Sequence, residues 1–446
     1  MAGTGHLAAA AGVRPLTRAG GVGGIVPFRP SAKENPMVLL RLSLVLLVLL
    51  LAPTGTAAAE DEPYRLGVAL GLTGPGAPYS RQALDAIELA VDDINAEGGM
   101  LGRHRIDIHL ANTRTRPDVA EVVVRRLIEQ DGVRAVIGTY SSDTALAIKP
   151  ICRDAGVLHI APISNSEDIT RLDPSPYTFS VVPNTYMMAK AVALAVTDLS
   201  EEYGWRRYVT IASDYSWGRS NQGVQVEQIT RLAPQLDLVE ELWPPLGYVG
   251  FNALVVAVAN LRPDFVLESL AGVDNALWQR AVWDYRLADQ VAVPGGLISV
   301  SELLFEGRWL RRGTWARTRA PFFAHLDEPM MQAFVERHLE RFGRYPTDWA
   351  VMAYDAVQVL RQGIEAAGSL DSDVVKDALT GATVTTTRGT LTFREVDNQL
   401  GVPAYVGRVA DDPDYDFPIF HDLRVFPAEA VWRPESEILA AREARP

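Results

Sequence analysis

Residues 138–145 read GTYSSDTA and follow the apolar run VRAVI, so a tyrosine, two serines, an aspartate and a threonine stand together where a strand should end. Such a group can attack a carbonyl, cap a helix or cradle a small ligand. Attack needs a base to take the hydroxyl proton, and no basic residue accompanies Ser141 or Ser142. Two other stretches share the character of this loop: Leu72-Thr73-Gly74-Pro75-Gly76 and Ala161-Pro162-Ile163-Ser164-Asn165. Each leads toward a helix whose first N–H groups have no partner inside the helix, and such an end accepts a carboxylate or another compact anion. Taken singly, Ser142, Asp143 and Asn165 are ordinary helix caps. Three such loops converging on one cleft make a site.

The remaining chemistry is thin. The chain lacks GxSxG, GxxxxGK[ST] and HExxH, and beyond residue 59 it lacks GxGxxG. His104, His109, His159, His325, His338 and His421 include no pair at metal-ligand spacing, and His159 inside VLHIA reads as a sheet residue. The single cysteine, Cys152, excludes an internal disulfide and reads as a small buried side chain. No metal, cofactor or catalytic residue is expected. Later in the chain, SDYSWG ends a strand with Tyr215 and Trp217, and DFVLESLAG ends another with Glu268. The aromatics either close over a ligand or pack; Glu268 either pairs with a ligand cation or faces solvent.

The elements that position these loops alternate regularly. RLGVALGL reads as a strand; Leu84, Ile87, Val91 and Ile94 then recur at helical spacing, with Ser80 as the expected cap and Gly98-Gly99 as the stop. RIDIHLA, the helix opened by Pro117, AVIG, the helix through TALAIKPICRDA, and VLHIAP continue the pattern. Strands separated by helices of this length imply right-handed crossovers and a parallel sheet covered on both faces. After about Val182 the theme restarts through RRYVTIAS, LDLVEEL, DFVLES and QVAVPGG. A less regular stretch from Ser301 to Phe323 follows, then two long helices and a segment of strands and turns. The fold class is therefore α/β, with two doubly wound parallel-sheet lobes.

The chain has 446 residues, 48% hydrophobic and 22% charged, with a net charge of −13. That length suits two cores. Residues 1–59 carry five basic side chains and one acidic, which takes the rest of the chain from −13 to −17. An acidic surface disfavours nucleic acid and anionic membranes as partners. From Met37, one arginine, an apolar run from Leu42 to Ala52 and Ala57-Ala58-Ala59 follow the three-part plan of a cleaved secretory signal. Translation is expected to start at Met37, with cleavage near Ala59.

The order of segments resembles the type I periplasmic binding proteins, in particular the leucine/isoleucine/valine branch of ABC-transporter receptors. The resemblance rests on Asp93-Ile94-Asn95 with Gly98-Gly99, on the loop after AVIG and on the AP-x-S loop, and it runs from about Tyr64 to Val425. It implies two lobes joined by three crossovers, near Val182-Pro183, within residues 315–321 and near residues 388–390. The corresponding division is 1–59 as extension and signal, 60–182 plus 319–389 as lobe 1, 183–318 plus 390–430 as lobe 2, and 431–446 as a C-terminal tail. It also implies ligand-binding roles: Ser142 with Ser141 for a carboxylate, Ile163 through its carbonyl, Ser164 and Asn165 beside it, and Tyr79 and Trp217 as covering aromatics. Glu268 is a further candidate. Relatives that hold an α-ammonium carry a glutamate where this chain has Gly296, which argues against an unmodified α-amino acid unless Glu268 or Asp274 substitutes. Leucine is then expected to bind poorly.

The resulting expectation is a periplasmic, monomeric binding protein that captures a small polar or carboxylate-bearing ligand by hinge closure. It would deliver the ligand to ABC permease subunits in the inner membrane. A ligand sensor of the same fold is the alternative, and a secreted enzyme is disfavoured by the missing motifs.

Overall fold

A computed structural model describes residues 61–444. The expected signal segment and the start at Met37 lie outside those residues. Strand β1 (Tyr64–Leu70) leads to helix α1 (Ala77–Ala96), β2 (Ile106–Asn112), α2 (Pro117–Glu129), β3 (Ala135–Gly138), α3 (Ser142–Asp154), β4 (Leu158–Ala161) and β5 (Thr178–Ser180). Every residue of β3 and β4 is buried, as a central parallel strand covered on both faces requires. Helix α1 opens a turn before the expected Ser80. Pro78 sits in its first turn, where a fixed φ and a missing N–H cost nothing, and Ser80 is buried inside the helix.

The second half begins with α4 (Thr185–Tyr203), capped by Asn184, whose side chain accepts from Met187 N at 3.0 Å. It continues through β6 (Arg207–Ala212), α5 (Ser216–Leu232), β7 (Asp237–Leu242), α6 (Phe251–Leu261), β8 (Phe265–Ser269), α7 (Val273–Asp284) and β9 (Gly296–Leu297). The stretch read as irregular contains α8 (Val300–Glu306) and β10 (Trp315–Thr318). A capping box at Ser299 and Glu302 starts α8.

Two helices then return to the first half: α9 (Pro329–Phe342) and α10 (Asp348–Ala367). Helix α10 is buried at every position from Asp348 to Leu360 and lies against α1, and both helices bury small residues, among them Ala350 and Ala353 in one and Ala83 and Ala86 in the other. After α11 (Ser372–Leu379) come β11 (Thr383–Thr386), β12 (Gly389–Arg394), β13 (Gln399–Leu400), β14 (Ala404–Ala410) and β15 (Ile419–Phe426).

One sheet has the order β11-β12-β13-β5-β4-β3-β1-β2, parallel from β13 through β2 and antiparallel from β11 through β13. The other half holds a parallel β7-β6-β8 sheet and the mixed sheet β15-β14-β10-β9. The chain thus passes between halves after β5, after β10 and between β13 and β14. The third passage differs from the expected one near residues 388–390. There the chain makes a hairpin within the first sheet, with Gly389 at φ +94° closing the turn from β11 to β12. Beneath it, the fully buried Arg388 donates to Asp355 Oδ2 at 2.9 Å and to Val181 O at 2.7 Å.

The last segment is helical: Ala428–Val431 and Glu435–Glu443. It is anchored by Arg433, which meets both oxygens of Glu167 at 2.8 and 2.9 Å and lies 4.1 Å from the Tyr186 ring centre.

Candidate functional site

Helix α3 starts on Ser141, whose extended backbone and uncommitted side chain leave the end of the helix open. The first bond back into the helix runs from Ala145 N to Ser141 O, so the N–H groups of Ser142, Asp143 and Thr144 are the helix's unsatisfied donors. The hydroxyls around them divide by role. Thr139 Oγ1 donates to Ser141 O at 2.9 Å and lies 2.6 Å from Thr144 Oγ1, which braces the loop backbone. Ser142 Oγ accepts from Ser166 N at 3.1 Å and ties this loop to the next.

That next loop follows β4. Ser164 N donates to Thr139 O at 3.1 Å, while Asn165 Nδ2 donates to Pro183 O at 2.5 Å and Asn165 O accepts from Thr185 N at 2.9 Å. Asn165 therefore holds the first passage between halves, and its Oδ1 is left without a partner.

The two loops form one wall of a small cavity, about 10 Å³, lined by Tyr140, Ser142, Ile163–Asn165, Tyr215, Trp217, Ala271, Arg319 and Trp349. Tyr215, Trp217 and Ala271 come from the second half. Arg319 sits on the passage after β10, and Trp349 opens α10. Asp348 fixes that passage: its Oδ1 accepts from Thr318 Oγ1, Arg319 N and Ala320 N at 2.7, 3.0 and 2.6 Å. The Arg319 guanidinium then lies 5.8 Å from the Trp217 ring centre and 4.9 Å from that of Trp349, with Nη1 donating to Ile163 O at 3.3 Å. Burial lowers its pKa, opposed by Tyr215, Tyr140, Asp348 and Glu302. Burial raises the Tyr140 and Tyr215 hydroxyls well above the phenol range, so both remain donors.

Of the residues singled out in the sequence, Ser142, Ile163, Ser164, Asn165 and Trp217 line this cavity. Ser141 is the residue on which α3 starts. Tyr79 stands one layer back, its ring centre 6.0 Å from Tyr140 and 5.2 Å from Trp349, so Tyr140 lines the cavity in its place. Glu268 is turned away. Both its oxygens accept from Gln279 Nε2 at 3.0 Å, and a Cβ on Gly296 would collide with its Oε1. Its carboxyl fills the space a side chain at 296 would need, and burial pushes it up to about 8 against the pull of Gln279 and Arg317. Asp274 is spent on its own loop, accepting from Ser213 Oγ at 2.6 Å and Gly247 N at 3.0 Å. His159 is buried with Nε2 3.0 Å from Gly138 O, its pKa lowered to about 4 by burial, and burial raises the Cys152 thiol to about 12. Tyr215, read with Trp217 as an aromatic that closes over a ligand or packs, also lines the cavity, whereas Tyr140, Ala271, Arg319 and Trp349 escaped notice as ligand candidates. Tyr140 lies inside a motif already quoted, whereas Arg319 lies in an irregular connector that periodicity does not mark.

A wider groove, about 600 Å³, lies on the second half between Gln279, Trp283, Asp289, Trp309 and Arg311. Its charges are paired within the rim, Arg311 with Asp289 at 2.5 Å. The cavity between the halves differs in carrying partnerless polar atoms: Ser164 Oγ, Asn165 Oδ1, Trp217 Nε1, Arg319 Nε and Trp349 Nε1. Buried polar atoms are normally satisfied, so exceptions gathered from both halves around one cavity make it the candidate binding surface.

A doubly wound α/β architecture places a ligand at the strand ends, where this polar cavity lies between the two halves. The family model described as periplasmic binding protein matches residues 63–414, and the chain belongs to that family. A Leu/Ile/Val-binding protein of Rhizobium johnstonii is 23% identical over 350 residues, covering 78% of this chain and 91% of that one. Among solved structures, a periplasmic binding protein from Burkholderia mallei superposes with a TM-score of 0.75 at 18% identity, covering 84% of this chain and 97% of that one. An ABC-transporter solute-binding protein of Rhodopseudomonas palustris, solved with 3,4-dihydroxybenzoic acid, gives 0.73 at 21% identity, covering 84% of this chain and all of that one.

Proposed function

We propose that this chain is the substrate-binding protein of an ABC transporter, holding a small carboxylate-bearing ligand between two lobes that close about it and passing it to membrane permease subunits. The observation that carries this reading is the shared cavity. The free N–H groups of α3 meet a wall from the other half, so a ligand touching both favours the closed arrangement through contacts the open one lacks. The lobes correspond to residues 61–182 with 319–400, and 183–318 with 404–426. The family supports a periplasmic location, and the three-part pattern of residues 37–59 supports an export signal there. The relatives named for branched-chain amino acids and the solved relative carrying an aromatic acid both support a carboxylate as the recognised group. No step of this function forms a covalent bond, and one copy of the chain suffices for it.

The test is a thermal-shift screen of small carboxylates on the purified protein, followed by small-angle scattering of the hits. A ligand that binds the folded state raises Tm by mass action, and one that closes the lobes leaves the radius of gyration unchanged or smaller. If no carboxylate raises Tm, the reading fails.

A further inference from the structure

Resting on the reading of two lobes that close, we infer that residues 427–443 form a strap that crosses the joint a fourth time and restrains how far the halves separate, with Arg433 as its positioning residue. The chain leaves β15 in the mixed sheet of the second half, and the turn Ala428–Val431 packs on α4, burying Ala428 and Val431. From Trp432 onward the strap reaches the first half. The Arg394 guanidinium of β12 lies 5.0 Å from the Trp432 ring centre and donates through Nη1 to Arg433 O at 2.8 Å. The helix Glu435–Glu443 is tied to the same half at its far end, where Arg442 donates from Nε to Arg171 O at 2.7 Å and from Nη2 to Thr170 O at 3.2 Å. The match to the family model ends at residue 414, short of the strap.

Arg433 stands where the strap changes sides. It donates from Nε and Nη2 to Glu167 of the first half at 2.8 and 2.9 Å, while its guanidinium lies 4.1 Å from the ring centre of Tyr186, in the first turn of α4 in the second half. Nη1 donates to the strap's own Glu437 at 2.9 Å. The Arg433 and Glu167 side chains are 11% and 6% exposed. Without Arg433 the buried Glu167 carboxylate is left with Arg171 at 3.6 Å, a poorer partner. An opening rotation moves Glu167 relative to Tyr186, and one guanidinium cannot stay on both. The restraint also reaches the cavity wall. Glu167 directly follows the loop ending in Asn165-Ser166, and Ser166 N donates to Ser142 Oγ at the start of α3.

Paired nitroxide labels on Arg81→Cys in α1 and Phe305→Cys in α8 read the separation of the halves without any ligand. Both positions are exposed and flank the Gln82–Ser301 contact, and the buried Cys152 stays unlabelled. Expected for Arg433→Met in this background is a shift to longer distances, the ratio of long- to short-distance molecules rising about threefold or more, with a partial return for Arg433→Lys, whose charge still faces Glu167. Thermal melts establish that each variant is folded, and a loss of stability alone leaves the distance within folded molecules where it was. If Arg433→Met does not fold, Arg442→Met, which frees the far end of the strap, decides by the same measurement. Ser216→Ala with Gln82→Ala, which removes contacts between the halves away from the strap, is the control for motion at the joint. If the control lengthens the distance while a folded strap variant keeps or shortens it, the inference is overturned and hinge closure stands. If neither lengthens it, the inference is overturned and the hinge reading loses support with it.

Discussion

Ser142 does two things at once, which sets what its removal should do. Its hydroxyl accepts from Ser166 N, and the residue lines the cavity, so Ser142→Ala leaves a buried N–H unpaired as well as removing the proposed ligand contact. The expected outcome is a stability loss of about 1–3 kcal/mol and about tenfold weaker ligand binding, measured by denaturant unfolding and calorimetry. Unchanged affinity would remove Ser142 from the contact surface. Glu268 makes a pH prediction. Unfolded, its carboxyl ionises near 4.5; folded, burial holds the proton until about pH 8. The folded state binds more protons between those values, so this group makes stability fall as pH rises from about 5 to 8. Glu268→Gln keeps the volume without the charge, and its Tm should decline less than that of wild type across that range. Parallel profiles would contradict the assignment.

At the level of elements, the buried pair of Arg388 and Asp355 joins the β11–β12 turn to α10 and to the end of β5. Arg388→Met strands a buried carboxylate and should cost about 3–5 kcal/mol in urea unfolding. Adding Asp355→Leu should recover most of the loss, since a well-packed apolar pair replaces buried charges at little net cost. If the double variant is no more stable than the single one, packing rather than charge controls this junction. The hairpin was invisible in the sequence for a related reason. GTLTFREVDNQL alternates as a strand does, but which sheet it joins depends on Gly389 turning it back and on Arg388 finding Asp355, some thirty residues away.

For the molecule as a whole, contacts that span the halves bear on the closure proposed above. Ser216 donates to Asp143 beside the cavity, and Gln82 Nε2 donates to Ser301 Oγ at 3.1 Å. Gly272 packs so closely on Tyr140 and Tyr79 that a Cβ would collide with the Tyr140 hydroxyl. Under the proposed hinge closure each contact biases the open–closed equilibrium, and affinity follows the closed population. The double variant Ser216→Ala with Gln82→Ala should show a larger radius of gyration by small-angle scattering without ligand and about three- to tenfold weaker binding. Gly272→Ala should weaken binding more. If neither variant changes either measurement, these contacts do not govern closure.

What the sequence determined by itself were features that local patterns carry. The alternation of apolar strands with amphipathic helices implied parallel sheets, and AVIG followed by a hydroxyl-rich turn located the open end of α3. Ser142, Ile163, Ser164 and Asn165 were legible because loops at the ends of parallel strands face a common cleft. Tertiary structure alone decided the charge inside that cleft. Glu268 and Gly296 are distant in the sequence, yet one fills the other's space and turns its carboxyl toward Gln279. Arg319 and Trp349 come from a connector and a helix start that carry no motif, and they meet the α3 loop only because Asp348 pins the passage between halves. Periodicity reports which face of an element is buried; it carries no record of which distant side chain arrives opposite, and that pairing sets which side chains line the cleft.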